Sequence, residues 1–361
     1  MKNLIILGST GSIGRQVLEV IRAYSQTYKV VGIAAKNKTT ELTSQIKEFK
    51  PRMVVLEENG PKSLEKLVSF PWVNNVVVAI PGTVALEATL RAIKEKKIIF
   101  LATKEILVAA GPLIKKALKK YGAQLFPLDS EHSAILQCLR GEDKKTLKRI
   151  ILTCSGGPFR NWKKADLNSI KKGQVFSHPV WKMGPKITVD SATLMNKGFE
   201  VLEAQYFFDL PLEKIEVLIH PEGIIHSMVE FNDGTIKALL SRPDMRFPIQ
   251  YALFYPQRLQ NPWKNLDLAE IKNLSFQKPD TKTFPCLNYA YLAGKIGGTM
   301  PAALNFADEV AVEMFLENKI SFLDIPKIIE KILKTHQPIF NPSLKDILGV
   351  KDWVKKLSKR T

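Results

Sequence analysis

An apolar run, Leu4-Ile5-Ile6-Leu7, passes directly into Gly8-Ser9-Thr10-Gly11-Ser12-Ile13-Gly14 and then into a helical pattern. A strand of that composition is buried on both faces, and leaving it through glycines into a helix commits the chain to a parallel α/β unit. The glycines also let backbone N–H groups at the helix start approach an anion with no Cβ in the way. A pyrophosphate is the expected occupant, with an ordinary tight βα turn as the alternative.

The second apolar run, Lys29 to Ala35, ends in Lys36-Asn37-Lys38. An acid at that place would hold the ribose hydroxyls of NAD, whereas lysines attract a 2′-phosphate, so NADP is expected over NAD. The alternative is a pair of lysines that merely solvate a loop. Further apolar runs at 53–56, 76–79, 98–101 and 124–127 alternate with helical patterns such as Val84 to Lys97 and Ile106 to Lys120. This rhythm predicts a doubly wound parallel sheet over residues 1–128.

From Arg149 the pattern changes. Strands are expected at 149–153, 216–219, 225–231 and 235–240, the last two joined by the hairpin signal Asn232-Asp233-Gly234. Residues 129–260 therefore read as an α+β region. A Pro-, Asn- and Lys-rich stretch, 261–285, reads as a linking arm, and 286–361 as a helical region with Pro301 in a first turn and Gly294, Gly297 and Gly298 as stops. The fold class is α/β throughout the first region, followed by an α+β domain and a helical domain.

The chain has 361 residues, 45% hydrophobic and 24% charged, which suits a globular protein of two or three domains. The opening apolar stretch is too short for a signal peptide or a membrane span, and three isolated cysteines give no pairing framework, so a cytoplasmic location is expected. A net charge of +18 raises nucleic acid as a partner. The lysine clusters at 115–120 and 355–360, however, carry apolar residues at helical spacing, and no zinc-finger or aromatic RNA-binding pattern accompanies them. No nucleic acid and no membrane are expected; the positive field instead draws phosphorylated small molecules.

Ligands of open α/β sheets bind beyond the carboxyl ends of the strands. The residues there include Pro81-Gly82, Thr103-Lys104-Glu105, Asp129-Ser130-Glu131-His132 and Ser155-Gly156-Gly157-Pro158. Asp129 and Glu131 can face one side, and carboxylates without soft ligands suit Mg²⁺ or Mn²⁺; a helix cap is the alternative. Were Asp190 to Glu200 helical, Asn196 and Glu200 would share a face with Lys197 beside them, either as a site or as a routine surface ion pair. Ser177 to Lys186 is a Pro- and Gly-punctuated loop carrying His178, Trp181 and Met183, read either as a lid or as a loop pinned by Trp181. His220 and His226 read as hydrogen-bonded framework residues, and His336 as a surface residue.

These motifs, together with Pro243-Asp244-Met245-Arg246, strongly resemble the 1-deoxy-D-xylulose 5-phosphate reductoisomerases, in order and over nearly the whole chain. The resemblance implies an oxidoreductase and isomerase that uses NADPH and a divalent cation (Mn²⁺, Mg²⁺ or Co²⁺) to make 2-C-methyl-D-erythritol 4-phosphate in the non-mevalonate route to isoprenoids. It implies a homodimer and sensitivity to fosmidomycin.

It assigns Thr10, Gly11, Ser12 and Ile13 to the pyrophosphate, Ala35, Lys36 and Asn37 to the ribose phosphate, and Thr103, Lys104, Glu105 and Gly184 to the rest of the cofactor. Asp129, Glu131 and Glu200 become metal ligands, and Lys104 and Glu131 the catalytic pair. Ser130, Ser155, His178, Trp181, Ser191, Asn196 and Lys197, with Glu131 and Glu200, become the pocket for the sugar phosphate. Trp181 and Met183 become the lid. A retro-aldol and aldol sequence followed by hydride transfer accounts for the product, with an α-ketol shift as the other route.

Three places depart from the family pattern. Thr103 stands where Asn is usual, Pro81-Gly82-Thr83-Val84-Ala85 lacks a second glycine, and Ala307-Asp308-Glu309 replaces Ala-Asn-Glu, a change expected to touch packing more than chemistry. Two rival classes remain at this point. A homoserine- or semialdehyde-dehydrogenase-like oxidoreductase would turn over without metal, and an NADP-sensing binding protein would not consume NADPH.

Overall fold

A computed structural model describes residues 1–163, 165–177, 181 and 183–358. In chain order the elements are β1 (Lys2–Leu7), α1 (Ser12–Ala23), β2 (Tyr28–Ala35), α2 (Thr40–Phe49), β3 (Met53–Leu56), α3 (Pro61–Ser69), β4 (Asn75–Val78), α4 (Leu86–Lys94), β5 (Ile98–Leu101), α5 (Lys104–Tyr121), β6 (Gln124–Pro127) and α6 (Ser130–Cys138). They continue with β7 (Leu147–Cys154), α7 (Lys172–Val175), α8 (Pro185–Ala192), α9 (Met195–Phe208), β8 (Ile215–Ile219), β9 (Ile225–Phe231), β10 (Ile236–Leu240), α10 (Arg246–Phe254), α11 (Cys286–Ile296), α12 (Met300–Leu316), α13 (Asp324–Thr335) and α14 (Leu344–Ser358).

The chain forms two compact units. The first holds Met1–Ile106, Pro112–Ser133 and Asp244–Lys264. Its six strands run parallel in the order β3-β2-β1-β4-β5-β6, so the order reverses between β1 and β4, where a doubly wound sheet opens a crevice for a dinucleotide. The central apolar runs are buried as expected, Leu4, Ile5, Ile6 and Leu7 being fully inaccessible, whereas the edge strands β3 and β6 are only partly covered.

The segment 244–264 adds a helix to this unit that its position in the sequence does not announce. Ile249, Leu253 and Phe254 of α10 join the core made by Val17, Ile21 and Tyr28. The Tyr28 hydroxyl donates to the Leu253 carbonyl, and Arg246 reaches Glu19 of α1 at 3.2 Å while its guanidinium lies over Trp263. The boundary expected at 260, with 244–260 in the catalytic region, is thus displaced by long-range packing.

The second unit holds Leu107–Gly111, Ala134–Pro243 and Asn265–Thr361. Its sheet is mixed, in the order β10-β9-β7-β8, with β7 parallel to β8 and antiparallel to β9. The helical tail is not separate from it. A Cβ on Gly198 of α9 would stand 2.7 Å from that of Ala290, so α11 lies directly on α9, and the Tyr291 hydroxyl donates to the Ile215 carbonyl at 2.8 Å. Gly294, expected as a stop, sits inside α11 facing Leu202 and Leu212, where a side chain would clash; the helix ends at Gly297. No helix among the described residues is long and apolar enough to cross a membrane.

Candidate active site

The β1–α1 turn is held close against the segment after β4 and the end of β2. Gly8 takes φ +96° and its missing Cβ would sit 2.5 Å from the Ala79 carbonyl oxygen; a Cβ on Gly14 would sit 2.2 Å from the Gly8 oxygen. Ala34 accepts from both the Gly8 and Ser9 amides, each at 2.9 Å, which ties the turn to the end of β2. α1 starts at Ser12 with no side-chain cap and no acid in its first turn, so its leading N–H groups and dipole are available to a phosphate. Thr10, Ser12 and Ile13 are half-buried here and Gly11 is exposed.

Lys36 and Asn37 are exposed directly after β2, and Ala35 is buried at its last position. The Lys36 ammonium is 3.9 Å from Glu57, a loose surface pair that leaves the side chain 78% exposed. Thr103, before α5, is buried and its hydroxyl donates to the Ile80 carbonyl at 2.8 Å, so the departure from Asn is accommodated by a bond to the segment after β4.

Beyond β6, Lys104 and Asp129 form a buried pair at 2.8 Å. The other Asp129 oxygen accepts the Glu131 amide at 3.1 Å, so the cap alternative is also realised: Asp129 caps α6 and holds an ammonium at once. The Ser130 hydroxyl donates to Glu131 at 2.5 Å. His132, to which the sequence reading assigns no role, is fully buried with Nδ1 3.3 Å from Asp129 Oδ1; its i,i+3 spacing from Asp129 was the available signal.

In the second unit, residues 190–200 form two helices rather than one. The break is at Leu194, a buried, bulky residue at φ +63°, a conformation that is costly for a branched side chain and characteristic of functional sites. Asn196 donates to Glu200 Oε1 at 2.7 Å and Lys197 donates to Oε2. Lys197 and Glu200 are 2% and 1% exposed, which removes the surface-pair alternative. A buried carboxylate flanked by an ammonium and an amide is a polar site placed where burial is expensive.

Ser155 directly follows β7, and a Cβ on Gly157 would stand 2.8 Å from the Ser191 carbonyl oxygen, so the Ser155 loop rests on the end of α8.

The Trp181 ring lies 6.3 Å from the His226 ring. His226 meets the Ser241 hydroxyl at 2.9 Å, and burial, reinforced by the charges of Lys197 and His220, holds its pKa down to about 4 against the hydrogen bonds to Ser241 and Arg242. His220 is fully bonded, to the Ser275 carbonyl and to the Ile224 and Ile225 amides, a framework role as expected. His336 is not on the surface: it is half-buried beside Trp353 and bonds Thr299 at 2.8 Å. Gly184 caps α8 and Met183 is half-buried, while His178, Pro179, Val180 and Lys182 lie outside the described residues.

A 1-deoxy-D-xylulose 5-phosphate reductoisomerase of Caldanaerobacter subterraneus subsp. tengcongensis is 51% identical over 369 residues, covering 97% of this chain and 96% of that one. The chain belongs to the 1-deoxy-D-xylulose 5-phosphate reductoisomerase family. It is an enzyme of that family, with its three-part architecture. The reductoisomerase of Thermoanaerobacter pseudethanolicus is 50% identical, covering 100% of this chain and 99% of that one.

Family models described as 1-deoxy-D-xylulose 5-phosphate reductoisomerase, the C-terminal domain of that enzyme, and the DXP reductoisomerase C-terminal domain match residues 4–60 and 57–111, 125–208, and 240–357 respectively. A solved DOX-P reductoisomerase in complex with NADPH, fosmidomycin and magnesium superposes with a TM-score of 0.95 at 35% identity, covering 100% of this chain and 98% of that one. The Zymomonas mobilis enzyme in complex with NADPH gives 0.90 at 37%, covering 98% and 97%.

Proposed function

We propose that the chain converts 1-deoxy-D-xylulose 5-phosphate and NADPH into 2-C-methyl-D-erythritol 4-phosphate, in the non-mevalonate route to isoprenoids. The observation that carries this reading is the buried Asn196–Lys197–Glu200 constellation, which is too costly to keep as a surface decoration.

The residues fit the two groups that the reaction needs. The turn after β1 offers uncapped N–H groups to a pyrophosphate, and Lys36 and Asn37 stand exposed to meet a 2′-phosphate. Asp129, Glu131 and Glu200 are oxygen donors without a soft ligand, the set that suits Mg²⁺ or Mn²⁺. When bound, the cation supplies Lewis acidity to the neighbouring oxygens of an α-hydroxy ketone, and NADPH supplies the hydride.

The chain's own groups do the rest. Ser155, Ser191, Asn196 and Lys197, with His178, hold the phosphate by hydroxyls, an amide and an ammonium. Lys104, aimed by Asp129, and Glu131 with Ser130 move the proton at the substrate oxygens as the carbon skeleton is cut and rejoined in the retro-aldol sense. Trp181 and Met183 cover the substrate and exclude water, and Gly184 and Thr103 to Glu105 line the cofactor.

Residues 1–128 serve NADP and 129–243 serve catalysis, with 244–264 completing the first unit and the C-terminal helices part of the second. The enzyme is cytoplasmic and acts as a homodimer; β10, an edge strand whose Ile236 and Leu240 are exposed, supports association through that edge.

The test is consumption of NADPH with 1-deoxy-D-xylulose 5-phosphate, with and without Mg²⁺ or Mn²⁺. Turnover that ignores the metal refutes the metal assignment, and no consumption refutes the reading. Glu200→Gln weakens metal binding sharply and leaves NADPH binding nearly intact; an unchanged metal titration removes Glu200 from the ligand set.

A further inference from the structure

Gln45 is a buried amide on α2, 1% exposed, with no place in the assignments above. Its Nε2 donates twice, to the Ser9 carbonyl at 3.0 Å and to Glu41 Oε1 at 2.9 Å. Both of its hydrogens are spent on oxygens that cannot donate here, which settles the orientation of the amide: reversed, it would set oxygen against oxygen.

The position of this contact is informative. Ser9 lies in the pyrophosphate turn, fully buried, and its own N–H is already held by Ala34 at the end of β2. α2 is the helix that follows Lys36-Asn37-Lys38, and it is capped by Thr39, whose hydroxyl accepts the Leu42 amide at 3.1 Å. One glutamine thus joins the turn expected to take the pyrophosphate to the helix that anchors the loop expected to take the 2′-phosphate. It also engages a carbonyl of the turn whose partial negative charge, if it swung toward a phosphate, would oppose binding.

We propose that Gln45 is a positioning residue for the cofactor, locking the pyrophosphate turn and the 2′-phosphate loop into one preformed site. This rests on the reading that Thr10 to Ile13 and Lys36-Asn37 receive NADPH.

The test uses the full chain and NADPH itself. Gln45→Met keeps the length and removes the donor, leaving the Ser9 carbonyl buried without it. The Kd and KM for NADPH should rise by about tenfold, the scale of one hydrogen bond lost with its partner left buried, while kcat and the KM for 1-deoxy-D-xylulose 5-phosphate stay near wild type. Gln45→Lys, which restores a donor to Ser9 and pairs with Glu41, should recover most of that affinity.

The decisive readout is the cycle with Lys36→Ala. If Gln45 couples the two loops, Lys36→Ala costs less in the Gln45→Met background than in wild type. A residue that only stabilises the fold lowers thermal stability and leaves the two losses multiplicative, which overturns the proposal, as does a Gln45→Met protein that binds NADPH normally. If Lys36→Ala in the wild-type background fails to discriminate NADPH from NADH, the assignment of the loop itself falls, and the proposal with it. Normal Lys36 behaviour beside an inert Gln45 overturns the coupling alone.

Discussion

Lys186 offers the sharpest energetic test. Its ammonium stands 2.6 Å from Asp190 and 2.7 Å from Asp308, on α8 and α12 of the same unit. The two carboxylates are 4% and 0% exposed and the lysine 21%. Lys186→Met leaves two buried acids without their shared cation. Breaking a buried pair in this way costs about 3–5 kcal/mol, and the partial exposure of Lys186 argues for the lower end, about 3 kcal/mol. In a unit of this size that lowers Tm by about 6–12 °C in scanning calorimetry.

Asp308→Asn alone restores the amide usual in the family and keeps the Lys186–Asp190 pair, so it should cost about 1 kcal/mol or less. The double variant Lys186→Met, Asp308→Asn should regain roughly half of the loss, because one of the two buried acids that share the lysine is removed. A Lys186→Met protein within about 0.5 kcal/mol of wild type, as for an ordinary surface lysine, would refute the reasoning. So would a double variant no more stable than the single one.

Three further outcomes are expected. His226 is held at about pKa 4, below its ordinary 6.5, so the unfolded chain binds the extra proton between those values; its contribution is intact above pH 6.5 and lost on acidification. Stability should fall by about 2 kcal/mol from pH 7 to pH 5, and His226→Gln should flatten that slope in denaturant titrations; an unchanged slope rejects the buried neutral imidazole. Gly14→Ala should abolish tight NADPH binding, since its Cβ would meet the Gly8 oxygen at 2.2 Å, and a normal titration by cofactor fluorescence would show that the turn can yield. Trp181→Phe should remove most of the intrinsic fluorescence change on adding substrate with metal and NADPH; survival of the signal makes Trp181 a framework anchor.

What was legible in the sequence was what short-range chemistry dictates. Parallel strands are continuous apolar runs, so β1 to β6 stand out even where β3 and β6 are only partly buried at the edges, and β9 was expected at the residues where it lies. The acids and ammonium of the site were visible as residue types at fixed spacings, but their burial was not, and only burial separates the Lys197–Glu200 pair from a surface pair. The break at Leu194 has no local signal, because leucine does not favour a left-handed conformation and adopts it only where packing compels it. Asp308 read as a minor variation, since the lysine that answers it lies on another helix. Gly294 misled for the converse reason: a glycine kept for close helix packing looks like one kept for a helix end.

The return of α10 to the first unit bears on how the protein is made. The six strands of that unit leave the ribosome long before Ile249, Leu253 and Phe254, each of which contributes about 1.5–3 kcal/mol by burial. A nascent chain paused after Ser133 therefore carries its complete glycine turn on a core that still lacks the apolar contacts of α10.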